Sequence, residues 1–451
     1  MVSSPVSQAS PRSNFLLIRS ALVAALGGLL FGFDTAVISG TTRALSQVYG
    51  LSPGMLGFTV SIALWGTVFG AILASRPADR YGRRAALHCL AVFYLVSALG
   101  CAFAPSYIWL VVFRFIGGLG VGASSVVGPM YIAEIAPAAK RGRLVGLFQA
   151  NVVSGILLAY LSNYLVGLAH TGPAEWRWKL GVAAIPALVF FFALFSIPQS
   201  PRWLVRVGRR EEARDVLKRI GEPDVDRHIA DIVESVTTER VGGSEPLFQR
   251  KYRLPIFLAL SMGIFNQFTG INAILYYVND IFERAGYSKV SSDQQAVVIG
   301  LTFFVFTLVA MSAIDRLGRK KLLLLGALGC GFSLAGVAAI FATGQHWGWL
   351  LWLLVGFIAF FSLSQGTVIW VYLSEVCPTL VRAKGQSLGS FSHWFTDAAI
   401  SGIFPLMAAS SGAAPFALFS VMTLAQFVVV LMFYPETKGL TLEQMQKRVL
   451  R

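Results

Sequence analysis

The sequence predicts an all-α membrane protein: twelve transmembrane helices in two pseudo-symmetric six-helix bundles, with short cytoplasmic helices between them. Three observations carry that prediction. Of 451 residues, 55% are hydrophobic and only 13% charged, and the mean hydropathy is +0.67; a soluble chain carries roughly 25% charge. Apolar runs, each near the ~20 residues that cross a bilayer, alternate with short polar loops about twelve times. Two polar loop signatures also occur twice at nearly one separation, 236 residues from Asp79 to Asp315 and 241 from Glu134 to Glu375. Such a duplication indicates a repeated six-span unit, with a ligand site at the interface of the halves near the midplane.

Residues 15–197 form the expected N-terminal bundle. The first 14 residues are polar, and the apolar run from Phe15 continues without a small-residue cleavage site, so no cleaved signal peptide is expected. Span 1, 15–38, holds Phe31-Gly32-Phe33-Asp34. Span 2, 55–75, leads into Asp79-Arg80-Tyr81-Gly82-Arg83-Arg84. Spans 3 and 4, 85–103 and 107–132, are joined by the uncharged Ala104-Pro105-Ser106, and Arg114 lies inside the apolar run 111–121. Glu134 and Lys140-Arg141-Gly142-Arg143 follow, then spans 5 and 6 at 144–168 and 180–197. The loops after spans 2 and 4 are basic and the one after span 3 is bare. The positive-inside rule therefore puts the basic loops and both termini in the cytoplasm. The same rule accounts for the net charge of +15 without a nucleic-acid partner.

Residues 198–254 differ in kind. Between Arg202 and Arg253 stand 12 basic and 10 acidic residues, 22 of the chain's 59 charges. Trp203, Leu204, Val207, Val216, Leu217 and Ile220 recur at helical spacing, which predicts short amphipathic cytoplasmic helices. The C-terminal bundle, 255–434, follows with spans at 255–282, 296–314, 322–342, 350–374, 387–409 and 415–434. Span 8 ends in Asp315-Arg316-Leu317-Gly318-Arg319, and span 10 in Glu375 and Arg382. The tail, 435–451, returns to the cytoplasm.

Span 7 carries amides where hydrocarbon offers them no partner. Asn266, Thr269, Asn272, Tyr276 and Tyr277 fall on one arc of about 140° of an ideal helix. Gln267 lies off that arc, and an unwinding near Thr269-Gly270 would bring it round. Amides and rings on one face suit a neutral polyol. The same residues suit amides bonding neighbouring helices, and this stretch alone leaves both readings open.

The four cysteines (Cys89, Cys101, Cys330, Cys377) lie in or beside apolar spans without metal-ligand spacing, so no disulfide framework or metal site is expected. The absence of an Asn-X-Ser/Thr acceptor leans towards a bacterial inner (plasma) membrane. No nucleophile elbow, metal cluster or phosphate loop occurs, so neither an enzyme nor a cofactor is expected.

The chain from about residue 15 to 446 resembles the sugar porter family of the major facilitator superfamily. The resemblance rests on the paired Asp-Arg-X-Gly-Arg loops, Arg141-Gly142, Pro198-Gln199-Ser200-Pro201-Arg202, the set Gln267, Gly270-Ile271-Asn272 and Tyr276-Tyr277, and Pro435-Glu436-Thr437-Lys438-Gly439. A lone Asp-Arg-X-Gly-Arg would mark only the superfamily. Within the family the chain looks most like bacterial xylose–, galactose– or glucose–proton symporters.

The resemblance implies a monosaccharide substrate, the proton as coupling ion, and a monomer working in the lipid bilayer. It implies sugar contacts from Phe31, Gln149, Gln267, Asn272, Tyr276, Trp370 and Trp394, with Asn266 and His393 beside them. Amides suit hydroxyls and indoles suit ring faces. Asp34 takes the proton in coupled members, with Arg114 beside it. Asp79, Arg83, Glu134, Arg141, Asp315, Arg319, Glu375 and Arg382 are expected to form ion pairs between the halves that close the inner side.

The chain also departs from the family pattern. Asn266 stands where Gln is common, Phe303 where a span 8 Asn is common, and His393 and Asp397 where relatives often have Gln or Asn. Gln199 replaces a Glu, which is expected to weaken one cytoplasmic ion pair. With no ATP-binding domain, energy must come from a gradient. The leading expectation is proton–monosaccharide symport by alternating access. The alternatives are a sugar uniporter with a structural Asp34, and a sugar sensor that does not transport.

Overall fold

The computed structural model describes residues 11–137, 140–241, 245–439 and 442–450. Among the described residues all regular structure is helical. The spanning segments of the first half are α1 (Pro11–Val37), α2 (Pro53–Leu73), α3 (Arg83–Ala102), α4 (Tyr107–Ile135), α5 (Arg141–Leu168) and α6 (Gly172–Ser196). Those of the second half are α7 (Arg250–Tyr276), α8 (Lys289–Leu317), α9 (Arg319–Thr343), α10 (Trp347–Val376), α11 (Arg382–Ser410) and α12 (Ala414–Phe433). Eleven of these are long and apolar enough to cross a membrane. The exception is α11, which has 29 residues but carries Ser392, His393, Thr396, Asp397 and Ser401 through its middle.

Local chemistry sets the helix ends. Ser52 caps α2 by accepting the Met55 N–H, with Pro53 at the first position, where a missing N–H costs nothing. Ser288 caps α8 in the same way through Ser291. Within the first half α1 packs along α5 and α2 along α4; within the second α7 packs along α11 and α9 along α12. The halves meet where α2 lies against α11 and α5 against α8.

Between the halves stand the helices Pro201–Arg206, Arg210–Ile220 and Val225–Val241. Trp203, Leu204, Val216, Leu217 and Ile220 are buried, as an amphipathic stripe requires. Val207 is a correction: it follows the last turn of its helix and is 43% exposed.

The helices cross alternately, so the two faces of the molecule differ. One face, the basic face, carries the segments 79–84, 134–137, 140–143 and 315–320. At the far face, side chains of the two halves join directly. Lys179, fully buried, is 2.8 Å from Asp293 Oδ2 of α8 and 3.0 Å from Glu175. Asn279 donates to the other Asp293 oxygen at 2.6 Å. Lys289 reaches Glu175 at 3.1 Å, and Arg43 reaches Glu283 at 2.5 Å.

Candidate functional site

The site begins with the break in α7. Its first helix ends at Phe268, Gly270 takes φ +78°, and the chain restarts as Ile271–Tyr276. Only glycine visits that region freely. Thr269 Oγ1 donates to Asn266 O at 2.6 Å and accepts the Ile271 N–H at 3.3 Å, so the break leaves little backbone unsatisfied. The unwinding expected from the sequence is therefore present, and it brings Gln267 beside Asn272, whose Nδ2 donates to Gln267 Oε1 at 3.3 Å.

Across from this break stands the polar helix α11. Gln267 Nε2 lies 2.9 Å from His393 Nε2. Asn272 Nδ2 donates to Asp397 Oδ2 at 2.6 Å, and Ser401 Oγ donates to Asp397 Oδ1 at 3.0 Å. A hydrogen-bonded chain thus runs Ser401–Asp397–Asn272–Gln267–His393. Rings flank it: His393 lies 4.9 Å from Trp394 and 5.2 Å from Trp370, each edge-on, and Trp394 lies 5.6 Å from Phe31 of α1. This aromatic line crosses from one half to the other.

On the first half, Arg114 Nη1 lies 3.8 Å from Asp34 Oδ1, and both side chains are largely buried. Phe31, Asp34, Arg114, Tyr276 and Trp394 line one cavity. Two site candidates are not hydrogen-bonded to this set among the described residues. Asn266 Nδ2 donates to the Gln365 carbonyl of α10 at 3.4 Å, an interhelical contact. Gln149 is half-buried on α5, and no hydrogen bond among the described residues joins it to the others. Phe303 is buried edge-on to Phe361 at 6.2 Å and brings no polar group.

On the basic face, several of the charges expected to act as a gate pair within their own half or with the linker in this conformation. Arg83 bonds Asp79 at 2.9 Å and Glu134 at 2.9 Å, and Arg319 bonds Glu375 at 3.0 Å. Arg206 of the linker also reaches Asp79, at 2.8 Å. Arg141 is exposed and has no ion-pair partner among the described residues. Arg382 Nε donates to the Cys377 carbonyl, five residues earlier, at 3.3 Å. The Asp315 side chain lies outside the described residues. Arg83 and Arg319 each follow a glycine that precedes a helix, and each folds back onto its own bundle.

Residues 20–448 match the family described as "Sugar (and other) transporter". The chain belongs to this family. It is 34% identical to the arabinose-proton symporter of Bacillus subtilis, covering 98% of this chain and 97% of that one. It is 39% identical to the D-xylose transporter of Levilactobacillus brevis, over 84% of each. Among solved structures, the xylose transporter XylE of E. coli in a partially occluded inward-open conformation aligns with TM-score 0.84 at 32% identity, covering 95% of this chain and all of that one. The same transporter bound to 6-bromo-6-deoxy-D-glucose aligns with TM-score 0.78 at 33% identity, covering 96% and 99%. The twelve-helix sugar-transporter fold and a transport rather than an enzymatic role follow from this membership.

Sequence reasoning left two features of this sugar transporter unread. One is the buried Lys179–Asp293 pair, whose signal was a charge at the edge of span 6 and another at the edge of span 8. The other is the direct bond between Asn272 and Asp397, signalled only by the departure at position 397.

Proposed function

We propose that the chain is a proton-coupled monosaccharide importer of a bacterial inner membrane, working by alternating access as a monomer. The basic face is cytoplasmic and holds both termini, by the positive-inside rule. The units 15–197 and 255–434 rock about the contacts of α2 with α11 and α5 with α8, with 198–254 as the cytoplasmic connector and 435–451 as a cytoplasmic tail. The observation that carries this reading is the amide wall of buried Gln267 and half-buried Asn272, beside the ring contact of Trp394 and Phe31 from opposite halves. Neutral donors, acceptors and ring faces together recognise a sugar. Gln149, Asn266, Tyr276, Trp370 and His393 complete the site as the halves close.

Asp34 is the proton site and Arg114 sets its proton affinity. A motion that separates them favours proton uptake, and one that restores the pair favours release. Proton and sugar then bias one equilibrium, which is what coupling requires. The conformation here is inward-open. Inter-half ion pairs at the far face support this, as does the higher TM-score to the inward-open relative. The basic-face set Asp79, Arg83, Glu134, Arg141, Asp315, Arg319, Glu375 and Arg382 holds the opposite, outward-facing state closed.

Proteoliposome uptake of a labelled sugar panel that includes D-xylose and L-arabinose tests this reading. Accumulation should follow an imposed proton gradient. Asp34→Asn should abolish accumulation and keep sugar counterflow. Accumulation by Asp34→Asn would make the pair structural. Gln267→Ala and Asn272→Ala should each weaken binding by about 1–3 kcal/mol, and unchanged affinity in both would remove the site assignment.

A further inference from the structure

The second half holds a carboxylate that the reading above does not use. Asp397 is 1% exposed in the middle of α11. Its two oxygens receive one neutral donor each, Asn272 Nδ2 at 2.6 Å and Ser401 Oγ at 3.0 Å. Among the described residues it has no cation in ion-pair contact, whereas Asp34 has Arg114. The titratable groups around it are few. His393 lies one turn earlier on α11, contacting Gln267. From α7, Tyr276 is near enough to interact with it electrostatically, and the Tyr277 hydroxyl is committed to the Ser401 carbonyl at 3.0 Å. Helices α2 and α12, which also pack on α11, carry no charged residue, and α10 carries only Glu375 in its last turn. Asp34 and Arg114 stand beyond Tyr276 in the cavity between the halves.

A carboxylate taken out of water needs a cation, several donors or a proton. The first is missing and the second are two. We propose that Asp397 is a second exchangeable proton site, and that its proton switches Asn272 between gripping Asp397 and contacting the substrate. In the ionised form Asp397 holds Asn272 Nδ2. On protonation one oxygen becomes a donor, its hold on Asn272 loosens, and the amide is released to a sugar hydroxyl. The switch places a proton next to the amide wall itself, on the half opposite Asp34. The sugar part of this inference rests on the proposed function; the proton site does not.

Two measurements on the purified full chain test it. The first needs no sugar: an infrared titration of the protonated-carboxyl stretch from mildly acid to alkaline pH. Wild type and Asp34→Asn should both show a titrating band that Asp397→Asn lacks. Asn272→Ala should shift that band without removing it, a readout that survives if Asp397→Asn fails to fold. The second is D-xylose binding followed by tryptophan fluorescence. In Asp34→Asn the apparent Kd should rise with pH by up to about tenfold per unit through the titration. In the double variant Asp34→Asn, Asp397→Asn it should be flat.

A band unaffected by Asp397→Asn, or absent from Asp34→Asn, overturns the proton site. A pH-independent Kd in Asp34→Asn overturns the switch. If the band behaves as stated and no sugar binds at any pH, the proton site stands and the sugar reading fails.

Discussion

At the basic end of the first half, Gln199 Oε1 accepts the Arg84 N–H at 3.0 Å. At the same place in the second half, Glu436 accepts the N–H groups of Arg319 and Lys320 at 3.0 and 3.1 Å. Around these caps the two ends repeat one plan. Tyr131 OH donates to Pro198 O at 2.8 Å, and Tyr372 OH to Pro435 O at 3.2 Å. Ser200 Oγ donates to Glu134, and Thr437 Oγ1 to Glu375 at 2.6 Å. Gly82 and Gly318 precede α3 and α9 with φ +94° and +88° and with ψ near 160° in both. The plan is therefore set by the free N–H groups of a helix start after a glycine, and an amide or a carboxylate can satisfy it. What differs is the bracing. The first half adds the linker, with Arg206 on Asp79 and Trp203 Nε1 donating to Asp79 O at 2.9 Å. The second half adds a negative charge at the helix N-terminus instead.

The largest expected effect separates the buried ion pairs. Glu134→Gln leaves Arg83, 6% exposed, with only Asp79 as ion-pair partner, and should cost towards the lower end of about 3–5 kcal/mol. Glu375→Gln should cost less, because Glu375 and Arg319 are 22% and 11% exposed. Thermal unfolding in detergent measures both, and equal losses would break the contrast. Next come Gly82→Ala and Gly318→Ala. Each places a Cβ against its capping side chain in a backbone region nearly reserved for glycine, at about 1–3 kcal/mol. Similar losses are expected in the two halves, and tolerance in one would show that the plan is not shared.

A third effect depends on pH. Burial pushes the Glu436 carboxyl up, but N–H groups of Lys438, Arg319, Lys320 and Thr437 outweigh it and hold it below the ordinary value. A carboxyl lowered by folding adds stability above its unfolded value, about 4.3, and loses it as pH falls through the folded value. Wild type and Glu436→Gln should therefore melt further apart at neutral pH than in acid. A gap independent of pH would mean that charge contributes nothing at this cap. The smallest effect sharpens the comparison: Gln199→Glu gives the first half the second half's charge and should stabilise by about 0.3–1 kcal/mol.

The fold was legible because bilayer-length apolar runs leave few arrangements, and because Asp79/Asp315 and Glu134/Glu375 exposed the duplication. The α7 break was legible for a physical reason too: a helical arc that excludes Gln267 needs Gly270 to bend. Partnership was harder to read. Complementary charges at Arg83, Glu134, Arg319 and Glu375 said that ion pairs form, but charge has no direction, and in this conformation these four residues pair within their own halves. Gln199 was read as a weakened ion partner and instead caps a helix, a role that depends on two loops meeting 115 residues apart. Whether Gln149 joins the amide wall was not legible, because sequence does not specify which conformation is adopted.

The polarity of α11 has a consequence for how the protein is made. A helix with His393 and Asp397 at its centre partitions poorly into lipid by itself, since a central Asp alone costs about 2.5–3.5 kcal/mol at insertion. The strongly apolar α12 follows after a few residues. Insertion of α11 is therefore expected to be helped by entering as a hairpin with α12, with its polar face packed against α7. Insertion of this hairpin is therefore also the step that builds the polar wall.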